Sequence, residues 1–153
     1  MADITLNIAK GRIVEFYKRV KDNDPANAAF VIVPIETSGI VSDAVMKDYD
    51  TLAALLAGAS NEQSTMGRKT LTDADLDALS APDDTNDWIE LSLPAVTWTA
   101  ASGNPISALV VCFDYDTTSG DDSTIVPCTK HDFAQTPSGA NIVKEAGVFH
   151  KAA

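Results

Sequence analysis

The sequence predicts a β-rich α+β fold, an antiparallel β-sandwich or barrel carrying an N-terminal helical element. Three observations predict it. From Trp88 onward, apolar and polar residues alternate in short runs separated by turn residues, which is the period-two signature of strands. The stretch "ISALVVCF", Ile106 to Phe113, is apolar almost throughout and suits a central strand. The N-terminal segment instead sets Ile8, Ile13, Phe16, Tyr17 and Val20 near helical spacing, with basic residues between them. Helical patterns thus cluster early and strand patterns late, an α+β order.

The first element is an amphipathic helix from about residue 5 to residue 21. Gly11 weakens it by about 1 kcal/mol relative to alanine. "DNDPAN" ends it, because Pro25 disfavours helical geometry at Asp24. "AAFVIVPI" follows as a short buried strand, with Pro34 marking an edge or a bulge. "DYDTLAALLAG" predicts a second helix, capped by Asp50 at its start and Gly58 at its end. After a polar loop, "RKTLT" is a short strand candidate, "DADLDAL" a helical turn, and Pro82 to Asp87 an acidic turn.

In "DWIELSLPAVTWTAA", Ile89, Leu91 and Leu93 share one parity, and Val96 and Trp98 share a face beyond the Pro94 break. "GNP" turns the chain into the long apolar strand. An acidic loop leads to "STIVPCTKHDF", and a "TPSG" turn to two last strands, "ANIVKEAG" and "VFHKA". The expectation is one domain over residues 1–153: a helix-containing part, 1–60, and an antiparallel meander of five to six strands, 87–150.

Charge narrows the classes of function. Eleven basic residues stand against 22 acidic ones, a net charge of -11. Such a field repels phosphate backbones, so neither nucleic acid nor an anionic membrane is an expected partner. No apolar run reaches the roughly 18 to 20 residues that span a bilayer. The N-terminus lacks a basic start followed by an unbroken apolar segment, so no secretory signal is expected. Cys112 and Cys128 form no CxxC pair, and both are expected to be reduced core residues.

The candidate sites are few. Asp114, Asp116, Asp121 and Asp122 crowd the loop "FDYDTTSGDD" and are weak candidates for a cation. A calcium loop of the D-x-[DN]-x-[DN]-G type needs a third acidic ligand where Thr118 stands and a glycine one residue before Gly120. An acidic hairpin turn is the expectation, and "PDDTND" is read the same way. His131 and Asp132 neighbour each other in "TKHDF", but no G-x-S-x-G elbow supplies a nucleophile. No phosphate-binding glycine loop is present either, so neither catalysis, nor a metal, nor a cofactor is expected. Trp88 and Trp98 are candidates for a core or an interface. Arg12, Lys18 and Arg19 form a basic stripe on the first helix and are interface candidates as well.

The segments "NIAKGRIVEFYKRVKDNDPANAAFVIVPI", "DYDTLAALLAG", "APDDTNDWIELSLPAVTWTAASGNPISALVVCFDYDTTSGDD" and "VPCTKHDFAQTPSG" together resemble small virion structural proteins of tailed bacteriophages. That resemblance implies a capsid decoration or cement protein, made in the host cytoplasm and placed on the outer head surface. Its implied partners are the major capsid protein and further copies of itself, a trimer being favoured. A receptor- or carbohydrate-binding β-domain on the virion surface is the alternative, as is a head-completion or tail-associated protein.

Overall fold

A computed structural model describes residues 3–58 and 60–153. Its centre is a five-stranded antiparallel sheet in the order β1-β7-β6-β2-β3. The strands are β1 (Ile4–Thr5), β2 (Ala29–Glu36), β3 (Lys69–Leu71), β6 (Ile106–Asp114) and β7 (Val126–Gln135). Two two-stranded ribbons accompany it: β4 (Ile89–Leu93) with β9 (Gly147–Ala152), and β5 (Val96–Trp98) with β8 (Ile142–Lys144). The fold is a β-rich α+β fold. The main sheet ends in open edges at β1 and β3, so it is not a closed barrel.

Two apolar layers explain why β2 and β6 are apolar at nearly every position. On one face, Phe30 and Ile32 of β2 join Leu109, Val111 and Phe113 of β6. Helix α1 (Ile13–Lys21) and the two ribbons cover that face, through Phe16, Val20, Leu91, Trp98 and Phe149 among others. On the other face, Val31, Val33 and Ile35 join Ala108, Val110 and Cys112. Leu6 and two short helices, α2 (Asp43–Met46) and α3 (Leu52–Ala57), cover it. A strand buried on both faces cannot alternate, and here it does not. The central place of "ISALVVCF" follows, since β6 is the middle strand of the five.

Pro34 sits where an edge permits it. β3 pairs with Phe30 to Ile32 only, and beyond it Pro34 accepts from Gln63 N at 2.9 Å on that side. No strand there needs the N–H that proline lacks.

Several expectations are corrected. The first helix does not begin near residue 5: a 3-10 turn (Asn7–Ala9) comes first, and Gly11 has φ +76°. That left-handed conformation breaks the helix, and α1 starts at Ile13. The second helix is capped by Thr51, not Asp50; Thr51 Oγ1 accepts from Ala54 N at 3.1 Å. "DADLDAL" is a turn without helix, closed by Asp75, which accepts from the N–H and hydroxyl of Thr72. The C-terminal strands are antiparallel but not a meander. Only β6 and β7 pair with their neighbour in sequence; around them β5 pairs with β8, and β4 with β9.

Candidate functional site

The acidic loop is a set of turns closed on itself. Asp114 is buried at 5 % exposure and accepts from Asp116 N at 3.0 Å. Asp116 accepts from the hydroxyl and backbone N–H of Thr118, and Asp121 from Ser123 N. The hydroxyl of Thr118 at Asp116 and that of Ser123 at Asp121 contribute most, with the backbone N–H groups next, and hold both carboxyls below the ordinary carboxylate value. Asp122 faces elsewhere. It accepts two hydrogen bonds from Arg68, at 2.6 and 2.8 Å, while Arg68 also grips Glu62 at 2.7 and 2.8 Å. These two carboxylates, Asp122 foremost, raise the Arg68 pKa further above its ordinary value. The loop's backbone also accepts the first N–H groups of α3, Leu52 N on Ile125 O and Ala53 N on Asp122 O. Asp114, Asp116 and Asp121 therefore shape the loop itself, and Asp122 joins it to α3 and to the β2–β3 connection.

The basic stripe is largely neutralised. Lys18 pairs with Asp22, and Arg19 with Glu15 at 2.7 Å, both one helical turn apart. Arg12 differs: its guanidinium lies 4.6 Å from the centre of the Phe16 ring. Phe16 in turn stacks on Phe113, with centroids 4.4 Å apart and planes within 6°. Beside this column, Arg12, Arg19, Pro25, Tyr115 and Val126 border a cleft of about 350 Å³, together with Glu15, whose carboxylate is taken by Arg19. Tyr115 stands 43 % exposed at its rim.

The tryptophans separate. Trp98 is 2 % exposed and donates its indole N–H to Gly67 O at 2.9 Å. As an interface candidate it is corrected: its ring fills the core and has no free face. Trp88 is half-buried, with Lys151 Nζ 4.1 Å from its ring and Lys151 paired to Glu90 at 2.5 Å.

His131 is placed where sequence neighbours alone would not put it. Its Nδ1 lies 3.1 Å from Asp3 Oδ2, and its Nε2 2.9 Å from Thr129 Oγ1. Asp3 also accepts from Asp132 N at 2.8 Å. Burial alone would raise the Asp3 pKa, but these bonds outweigh it and hold the carboxyl low. The arrangement pins the residue before β1 onto β7, so that a two-residue edge strand keeps its place. It also borders a cleft of about 330 Å³ between β1 and β9, which His150 lines from the other side. Thr129 is 2 % exposed, and its secondary hydroxyl is positioned as a hydrogen-bond partner of the imidazole.

Lys130, the next residue, points the other way into full burial. It bonds Asp43 at 3.0 Å and Asp132 at 2.5 Å, tying β7 to the first residue of α2. Sequence reading missed this clamp and the Arg68 clamp, because both join residues far apart in the chain. The cysteines face opposite layers of the core, Cys112 with α3 and Cys128 with α1, and both are free thiols. Burial raises both pKa values, that of Cys128 to about 12. Comparison of the chain with protein-family models, with curated proteins and with solved structures finds no match in any of the three.

Proposed function

We propose that this chain is a capsid decoration or cement protein of a tailed phage, binding the outer head surface through protein–protein contacts and carrying out no catalysis. The resemblance of its segments to small virion structural proteins supplies the location. The structural observation that carries the reading is the pair of outer ribbons. Among the described residues each ribbon strand has a single hydrogen-bonded partner strand, and Val143 of β8 and Val148 of β9 stand 41 % and 45 % exposed on them. Unpaired strand edges with apolar side chains are suited to covering by a neighbouring subunit. The net charge of -11 keeps such a chain soluble before assembly and away from packaged DNA.

The test is assembly of heads without the chain. They should lose resistance to heat and to internal DNA pressure, and added protein should restore it. Cryo-electron microscopy should then place its density across several neighbouring capsid subunits. Copurification with tails, or density at the portal vertex alone, would replace this reading with a tail or head-completion role.

A further inference from the structure

The Arg12 cleft and the Pro82–Asp87 turn are complementary in chemistry, and the geometry points to a contact in which the turn of one copy enters the cleft of another. The chain has three arginines. Arg19 and Arg68 are each joined to carboxylates, whereas among the described residues Arg12 has an aromatic face beneath it and no carboxylate partner. An arginine laid over an aromatic column, beside an exposed tyrosine and a concave apolar rim, is the composition that dominates binding energy at protein interfaces. Its missing complement is an acidic segment.

The chain itself presents one. Pro82, Asp84 and Asp87 are exposed, and among the described residues neither aspartate is joined to a cation. The turn is folded before it meets anything. Asp83 Oδ1 accepts from Thr85 N and Asn86 N, its Oδ2 from the Asn86 amide, and Asp83 N donates to Trp88 O at 2.8 Å. A preformed turn loses little conformational entropy on docking. Trp88, at its base, is braced by Lys151.

Charge sets the conditions. Two bodies of net charge -11 repel at long range, but at physiological salt that repulsion is screened beyond about 8 Å. The local guanidinium–carboxylate attraction acts inside that distance. Cleft and turn are different patches, so copies join head to tail, and the assembly inferred is the closed form of such a contact, a ring. The contact stands apart from the capsid assignment: a chain that binds no shell can still self-associate this way, and the experiment needs no capsid.

Sedimentation velocity of the full chain over a range of concentrations tests it. The expected result is a closed oligomer that forms with rising concentration. Arg12→Glu, and separately Asp84→Arg with Asp87→Arg, should each weaken association at least about tenfold. A chain carrying all three substitutions exchanges the charges of both patches and should regain association. All these positions are exposed, and equal melting temperatures would show that the variants fold. A monomer at every concentration overturns the proposal. So does association that Arg12→Glu leaves unmoved, or a triple variant that stays as weak as its parents.

Discussion

Arg68 and Asp122 lie 54 residues apart and meet through two hydrogen bonds, with Glu62 holding the other side of the same guanidinium. One cation thus fastens the acidic loop to the connection between β2 and β3. Arg68→Met should destabilise the chain by about 1–3 kcal/mol, because two carboxylates remain facing each other without their cation. The three side chains are 19 to 30 % exposed, which keeps the loss below that of a fully buried pair. Urea unfolding of the two proteins measures it.

The same bonds decide how the loop meets calcium. Asp114, Asp116 and Asp121 accept from their own backbone, and Asp122 is taken by Arg68. Calorimetric titration with calcium should show no specific heat, and melting should be the same with and without EDTA. A micromolar site would contradict the structural role given to these carboxylates.

Trp98 and Trp88 should respond very differently to truncation. Trp98→Ala removes a ring that is 2 % exposed together with its bond to Gly67, a loss of about 3–5 kcal/mol. Trp88→Ala removes a half-buried ring from a turn braced by Lys151 and should cost about 1 kcal/mol. Thermal melts of both variants, read by circular dichroism, separate the two roles.

Thiol reactivity should report the fold. Both cysteines are fully buried, and burial disfavours both thiolates. A disulfide-exchange reagent at pH 8 should find almost no reactive thiol in the native chain and both in denaturant. Rapid native reaction, or no thiol after unfolding, would contradict the placement of Cys112 and Cys128.

Stability should fall as pH drops below neutrality, with His150 contributing. Burial, and then the positive charge of His131, hold the His150 pKa below its ordinary 6.5. Above 6.5 the ring is neutral whether the chain is folded or not. Below it the unfolded chain takes up a proton that the folded chain resists, so stability declines through that window. The fall in Tm between pH 7 and pH 5 should be smaller in His150→Gln.

Much of the framework was legible in local pattern. The apolar run of β6, the edge signal of Pro34 and the buried stripe of Ile13, Phe16, Tyr17 and Val20 each follow from residues close together in sequence. Pairing was not legible, because the partners of β4 and β5 lie beyond the whole β6–β7 hairpin and alternation does not specify distance. Gly11 signalled only a weakened helix, whereas its positive φ ends the segment outright. The His131 partnership was hidden for a similar reason: Asp3 stands 128 residues away, and the adjacent Asp132 was the visible carboxylate. Arg12 and Arg19 both stand within one helical turn of Glu15 in the sequence, and only the structure shows that Arg19 takes that carboxylate.

The nested ribbons impose an order on how the molecule comes into being. Ile89 of β4 pairs with Ala152 of β9, and Trp98 of β5 with Ile142 of β8. On a ribosome, β4 and β5 emerge long before their partners, whereas β2, β6 and β7 can already assemble. Leu91, Leu93 and Trp98 then wait uncovered, and loop closure over such separations is slow. The nascent chain is consequently most prone to aggregate just before β9 leaves the exit tunnel, which makes that interval the one in which a chaperone has most to protect.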